Sequence, residues 1–193
     1  MDGRVALYHS DIFIRDNLGT SEQLKDLYDQ IQEAKTSNKE EISRSNDGCF
    51  RTTKKYKNDD WLMAAVQDMT KKAAEYYFET DESFLQHVPD KKIKINYWTN
   101  VNQPGASNVI HNHEKDSFAA VFYLQAEGTG DISFVNPANL LSNCNPASPF
   151  TRCLNFSPED NQLILWPAWV PHEVYPNPSD KERINIVFSI QLT

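Results

Sequence analysis

In the run Arg183–Gln191, Ile184, Ile186, Phe188 and Ile190 fall on every second position. Successive strand residues point to opposite faces, so this run folds as a strand with one aliphatic face. Arg183, Asn185 and Val187 share the other face. A buried sheet turns that arginine inward only if something anionic meets it; otherwise it stands in solvent at the strand start. From Lys91 onward, similar short alternating or apolar runs recur between Pro, Gly and Asn, the signature of an antiparallel sandwich. The predicted strands are Ile93–Trp98, Asn108–His113, Ser117–Gln125, Asp131–Val135, Thr151–Asn155, Gln162–Trp166, His172–Tyr175 and Arg183–Gln191. Eight strands fit a double-sheet jelly roll, the double-stranded β-helix.

The first half reads differently. Thr20-Ser21-Glu22-Gln23 has the form of a capping box, and Leu24, Leu27, Tyr28 and Ile31 then recur at helical spacing, which predicts a helix over 21–35. Asn58 or Asp59 caps a second, with Leu62, Ala65, Val66, Met69, Ala73, Tyr76 and Tyr77 as its apolar stripe and an end near Thr80. The expected architecture is mainly β with flanking N-terminal helices. One domain spans 1–193, a two-helix extension over 1–90 packing on a metal-binding core over 91–193. With 193 residues the chain is long enough for one core and short for two. The stretch Pro137–Pro149, rich in Asn, Ser and Pro, reads as a loop over the barrel mouth and a candidate lid.

Charge and composition exclude several partners. The net charge of −8 is spread along the chain without a Lys/Arg block, so bulk nucleic-acid binding is not expected. No apolar run approaches the roughly 20 residues of a membrane helix. Cys49, Cys144 and Cys153 are odd in number and widely spaced, which suits free thiols in a reducing cytoplasm. Met1-Asp2-Gly3-Arg4 does not open a secretory signal, so the expected location is cytoplasmic. A homodimer stays open.

Residues two apart on a strand share a face, so His111 and His113 aim two imidazoles into one space while Asn112 points away. Such pairs also occur as hydrogen-bonded surface histidines, and imidazole suits Fe, Zn, Cu and Ni alike. His172 follows Trp166-Pro167-Ala168-Trp169-Val170-Pro171, a stiff turn that places it at the mouth of a strand. Antiparallel topology can bring it beside His111 and His113 although 59 residues separate it from His113. His9 and His87 lack any such setting.

These motifs, in order, resemble a known family. His111-Asn112-His113, Val121-Phe122-Tyr123-Leu124, Gly130-Asp131-Ile132-Ser133-Phe134, Pro171-His172-Glu173-Val174-Tyr175-Pro176 and Arg183-Ile184-Asn185 look like the iron(II)- and 2-oxoglutarate-dependent dioxygenases. The likeness is strongest to the prolyl-hydroxylase-like branch and to poorly characterised oxygenases, some carried by phages, which would put this chain in a host cytoplasm. Ser45-Asn46-Asp47-Gly48 is similar to a turn in that set, so the resemblance covers about 45–190. It implies a facial triad of His111, His113 and His172 holding iron(II). It also implies 2-oxoglutarate, with its 5-carboxylate on Arg183, eleven residues after His172, beside Tyr123 and Asn185. The implied reaction is hydroxylation of a peptide or small molecule with release of succinate and carbon dioxide. Most of the family has Asp or Glu where this chain has His113, a site about one charge unit more negative. Glu114 has the wrong strand parity to replace it, Asp116 lies in a turn, and both read as surface acids.

Two alternatives remain at this stage. A cupin-type metal enzyme without 2-oxoglutarate matches Gly105, five residues and HxH, but the glutamate expected four or five residues after the second histidine is Ser117 or Phe118 here. A jelly-roll module that binds without turnover is the other. Tyr97, Trp98, Trp166 and Trp169 either wall a substrate at the mouth or pack the sheet core.

Overall fold

The computed structural model describes residues 10–37, 46–78, 93–136 and 153–193. Strand β1 (Phe13–Arg15) and helix α1 (Ser21–Ser37) are followed by β2 (Asn46–Thr52) and helix α2 (Asp60–Phe78). The remaining strands are β3 (Ile93–His111), β4 (Phe118–Gln125), β5 (Ile132–Phe134), β6 (Leu154–Phe156), β7 (Gln162–Pro167), β8 (His172–Val174) and β9 (Arg183–Leu192). All pair antiparallel in the order β1-β7-β4-β9-β3-β8-β5-β6, with β2 also on β3, and the sheet curls into a jelly-roll half-barrel.

Strand β3 replaces the first two predicted strands and the loop between them. Its residues 93–102 pair with β9, whereas Asn108 and His111 pair with Val174 and His172 of β8. The bend between these halves contains Pro104 and Gly105, and Gly105 has a φ of 81°, a left-handed conformation natural to glycine. The Gly105 amide donates to the Asn177 carbonyl at 2.8 Å and the Asn177 amide to the Ala106 carbonyl at 3.0 Å. Turn residues that read as a break therefore mark the point where one strand passes from pairing with β9 to pairing with β8.

Strands β1 and β2 were not foreseen. The first borders β7 and is only three residues long; the second carries a bulge at Gly48, which explains the turn-like sequence there. The helices appear where capping and periodicity placed them. Gln23 donates from its amide to Thr20 Oγ1 at 3.3 Å and its side chain accepts from the Thr20 amide at 2.8 Å, closing the capping box. Asp59 precedes α2, and its carbonyl accepts from the amides of Leu62 and Met63. Tyr28 and Tyr76, expected within the buried stripes, stand at the helix edges, 38% and 42% exposed.

Strand alternation divides the core. On the outer face Ile184, Ile186, Phe188 and Ile190 join Phe122, Leu163 and Leu165 beneath Ile31, Leu62, Val66 and Met69 of the helices. On the inner face Val121, Tyr123, Ile164, Trp166 and Val187 line the half-barrel. Tyr97 belongs to the outer face, its hydroxyl donating to Asp59, so it is a helix contact. Predicted positions His9, Thr80, His87, Cys144 and the 137–149 loop lie outside the described residues.

Phe122 is fully buried and meets Trp61 of α2 edge to face at 5.6 Å. Phe122→Ala should cost about 3–5 kcal/mol of unfolding free energy, measured by chemical denaturation. Because the side chain points away from the half-barrel interior, metal affinity of the folded fraction should be unchanged.

Candidate metal centre

His111 ends β3 and His172 begins β8, and the two are direct cross-strand partners. His113, predicted as the last residue of this strand, lies two residues beyond its end, because the chain there leaves the ladder. Its amide is instead held at 3.0 Å by the Ala168 carbonyl of the Pro167–Pro171 turn. That turn thus places both His172 and His113. The ring centroids lie 4.3 Å apart for His111–His172, 5.4 Å for His113–His172 and 5.6 Å for His111–His113. One ring nitrogen from each histidine falls within 4.8 Å of the others.

Their protonation suits metal binding. His111 Nδ1 lies 2.8 Å from the Val109 carbonyl and His172 Nδ1 3.1 Å from the Val170 carbonyl. A carbonyl only accepts, so these Nδ1 atoms carry the hydrogen and each Nε2 keeps a lone pair. Burial pushes His172 down to about 3 and His113 down to about 4, with the neighbouring His111 adding to both shifts and Asp116 opposing the latter. His111 is lowered as well, chiefly by burial. All three are neutral imidazoles at neutral pH.

Arg183 opens β9 and is 1% exposed, the inward reading of the alternation. Its Nη1 donates to the Thr129 carbonyl at 3.0 Å and the Gly130 carbonyl at 3.4 Å. Gly130 has a φ of 101°, and a Cβ there would stand 3.0 Å from the Pro176 carbonyl oxygen, so a side chain would displace this support. Nε and Nη2 of Arg183 are buried without a partner. Those two N–H groups form the side-on fork that grips a carboxylate by parallel bonds. Tyr123 and Asn185, cross-strand partners 3% and 7% exposed, flank it, and Asn100 donates to Asn185 Oδ1 at 3.4 Å. Burial raises the Tyr123 hydroxyl's pKa against the pull of Arg183.

One cavity of about 290 Å³ joins the three histidines to Arg183, Tyr123 and Asn185, and among the described residues that line it there is no carboxylate. Trp98 and Trp166 line it too, Trp98 stacked 6.1 Å from His113 and Trp166 edge-on to His172 at 4.9 Å. Trp169 is 46% exposed outside it. Arg51, whose guanidinium covers Trp98 at 4.4 Å, lines the cavity without a sequence signal because its strand was not anticipated. Asp116 corrects an expectation. Its side chain is only 11% exposed and accepts hydrogen bonds from Ser189 and Gln191, whereas Glu114 is exposed.

Residues 96–189 match the sequence profile of the family described as "Putative 2OG-Fe(II) oxygenase". Over that stretch, just under half of its length, the chain is similar to the 2OG-Fe(II) oxygenases. A search of curated proteins gives no sequence match. Among solved structures, a prolyl-4-hydroxylase of Pseudomonas putida superposes with a TM-score of 0.63 at 13% identity, over 94% of this chain and 92% of that one. A Trichoplax adhaerens prolyl hydroxylase, in complex with a hypoxia-inducible-factor peptide fragment, gives 0.64 at 12%, over 93% and 83%. HygX of Streptomyces hygroscopicus, with nickel and 2-oxoglutarate bound, gives 0.59 at 8%, over 94% and 83%. At these identities the likeness is one of fold.

The oxygenase family's cofactors are iron(II) and 2-oxoglutarate, and the donors here fit both. Three neutral imidazoles with open space beside them suit a divalent ion, and an orphaned guanidinium fork suits a dicarboxylate's far end.

Neutral histidines make the metal-free protein acid-sensitive. An unfolded chain protonates histidine near 6.5 and the fold only near 4 and 3, so stability is complete above 6.5 and falls as pH drops below it. Each group should contribute up to about 1.4 kcal/mol per pH unit in that window. Denaturation between pH 7 and 4 should show a steeper slope for the wild type than for His172→Gln.

Proposed function

We propose that the protein is a single-domain oxygenase that hydroxylates a peptide or small molecule, consuming 2-oxoglutarate and oxygen and releasing succinate and carbon dioxide. His111, His113 and His172 would hold iron(II). Arg183 would hold the far carboxylate of 2-oxoglutarate, with Tyr123 and Asn185 beside it. The carrying observation is the unpartnered Nε and Nη2 of Arg183 in the same cavity as the three histidines. A buried polar group left unpaired is costly, so such a fork is retained for an anion that arrives from solution. A cupin-type reaction gives this arginine no task.

When bound, iron(II) and 2-oxoglutarate supply the activation of dioxygen; one oxygen atom enters the substrate C–H bond and the other becomes part of succinate. The chain's own contribution is placement. Val109 and Val170 carbonyls fix the Nδ1–H tautomers of His111 and His172, which turns both Nε2 lone pairs toward the shared centre. Thr129 and Gly130 carbonyls hold one end of Arg183 so that the fork faces the cavity. Trp98 and Trp166 form apolar walls that limit water around the site. The substrate class draws support from the fold neighbours, one in complex with a peptide fragment and another with hygromycin B bound. Among the described residues no helix is long and apolar enough to cross a membrane. A reducing cytoplasm suits the chain's thiols, Cys49 buried and Cys153 exposed.

Anaerobic addition of iron(II) and then 2-oxoglutarate should produce a weak visible charge-transfer band. Arg183→Ala should weaken 2-oxoglutarate binding by roughly 30-fold to several thousand-fold, the range for breaking a buried charged pair, and leave iron affinity near wild type. A folded, iron-loaded protein with no band, or equal 2-oxoglutarate affinity in Arg183→Ala, overturns the proposal.

A further inference from the structure

Metal-bound histidines ordinarily give their second ring N–H to an acceptor, which fixes the tautomer and aims the other nitrogen at the ion. His111 and His172 each use a backbone carbonyl two residues upstream. His113 has a different neighbour: its Nδ1 faces Asp116 Oδ2 at 3.9 Å across a tight turn in which the Asp116 amide donates to the His113 carbonyl at 2.9 Å. The two side chains are only 10% and 11% exposed.

We propose that Asp116 is the positioning residue of the metal centre. It takes the Nδ1–H of His113 and supplies, one residue removed from the ion, the negative charge that three neutral imidazoles lack. This rests on the reading of the three histidines as iron ligands.

The surroundings of Asp116 separate it from an ordinary surface acid. Gln191 donates to Oδ1 at 3.1 Å and the Ser189 hydroxyl donates to Oδ2, so the carboxylate is anchored from β9. By strand alternation Ser189 lies on the same inward face as Arg183, Asn185 and Val187. One strand thus fixes Arg183 near one end and the carboxylate behind His113 near the other. A separation of 3.9 Å is a charge-pair distance, and a ring movement of about 1 Å would bring it to the roughly 2.8 Å of a charge-assisted hydrogen bond. Nδ1 and Nε2 sit on opposite edges of the ring, so a carboxylate on Nδ1 acts through His113 and does not displace it. The effect is that of a ligating carboxylate placed one shell out: it makes the imidazole more basic and offsets the ion's charge.

Cobalt(II) serves as the probe, titrated anaerobically by its visible bands. Asp116→Asn keeps the size and most of the anchoring, and should weaken cobalt affinity 10- to 100-fold while the metal-free unfolding midpoint stays that of the wild type. A double-mutant cycle supplies a readout that a structural role would not move: in a His113→Ala background, Asp116→Asn should cause no further loss. Ser189→Ala, which loosens the anchor, should weaken cobalt in the same direction by less, and it decides the question if Asp116→Asn does not fold. Glu114→Gln should bind as wild type. Unchanged cobalt affinity in the folded Asp116→Asn, or in Ser189→Ala where that variant must decide, overturns the proposal, as does an undiminished loss in the His113→Ala background. A wild type that binds no cobalt, or binds it equally after His111→Ala, overturns the metal reading itself and this inference with it.

Discussion

The site exists because β3 changes partner along its length within one curled sheet. Its first half is hydrogen-bonded to β9 and its last residues to β8, and the bend between them brings His111 opposite His172 while Asn100 and Asn102 remain opposite Asn185 and Arg183. Backbone pairing is therefore what sets the histidines and the arginine at opposite ends of one cavity. The bend is stitched to Asn177, whose backbone bonds Gly105 and Ala106, and its side chain in turn reaches the Lys181 carbonyl ahead of β9. The histidine end and the arginine end thus share a single strand and a single tether.

Dryness does the electrostatic work. Burial keeps the three histidines neutral and lets them face one another at 4.3–5.6 Å, an arrangement that charged imidazoles would oppose. The same burial makes the unpaired Arg183 fork costly. Among the described residues the cavity's lining is neutral apart from Arg51 and Arg183, in a chain of net charge −8. A guanidinium cannot shed its proton to relieve that cost, whereas a lysine could, which explains why an arginine occupies the position.

What was legible in the sequence was whatever alternation or spacing records directly. The parity of β9 assigned Ile184, Ile186, Phe188 and Ile190 to one face and Arg183 and Asn185 to the other, and the structure divides them that way. The capping box located α1 because its signal is local. β1 is only three residues long, too short for periodicity to speak, and β2 is interrupted by its bulge. Pro104 and Gly105 read as a loop since the same residues that end strands also bend them. Asp116 was missed for a related reason: its burial comes from Ser189 and Gln191, more than 70 positions away, and no local pattern records such a partner.

The N-terminal segment belongs to the site's support although it contributes no donor to it. Asn161, at a φ of 60°, accepts from the Gly19 amide through Oδ1 at 2.8 Å and donates from Nδ2 to the Gly19 carbonyl at 2.9 Å. Its own amide donates to the carbonyl of Tyr123 at 2.8 Å. One residue further, the Gln162 side chain donates to Asp16. Asn161 thus clamps the start of β7 between β4 and the strap that leads into α1. β7 carries Trp166, which meets His172, and β4 carries Tyr123, which flanks Arg183. A slip of one residue in β7 would turn Trp166 to the helix face and Leu165 into the cavity, since strand faces alternate. The strap excludes that register, and by this route residues 16–19 help to fix a site built by strands more than 70 positions further on.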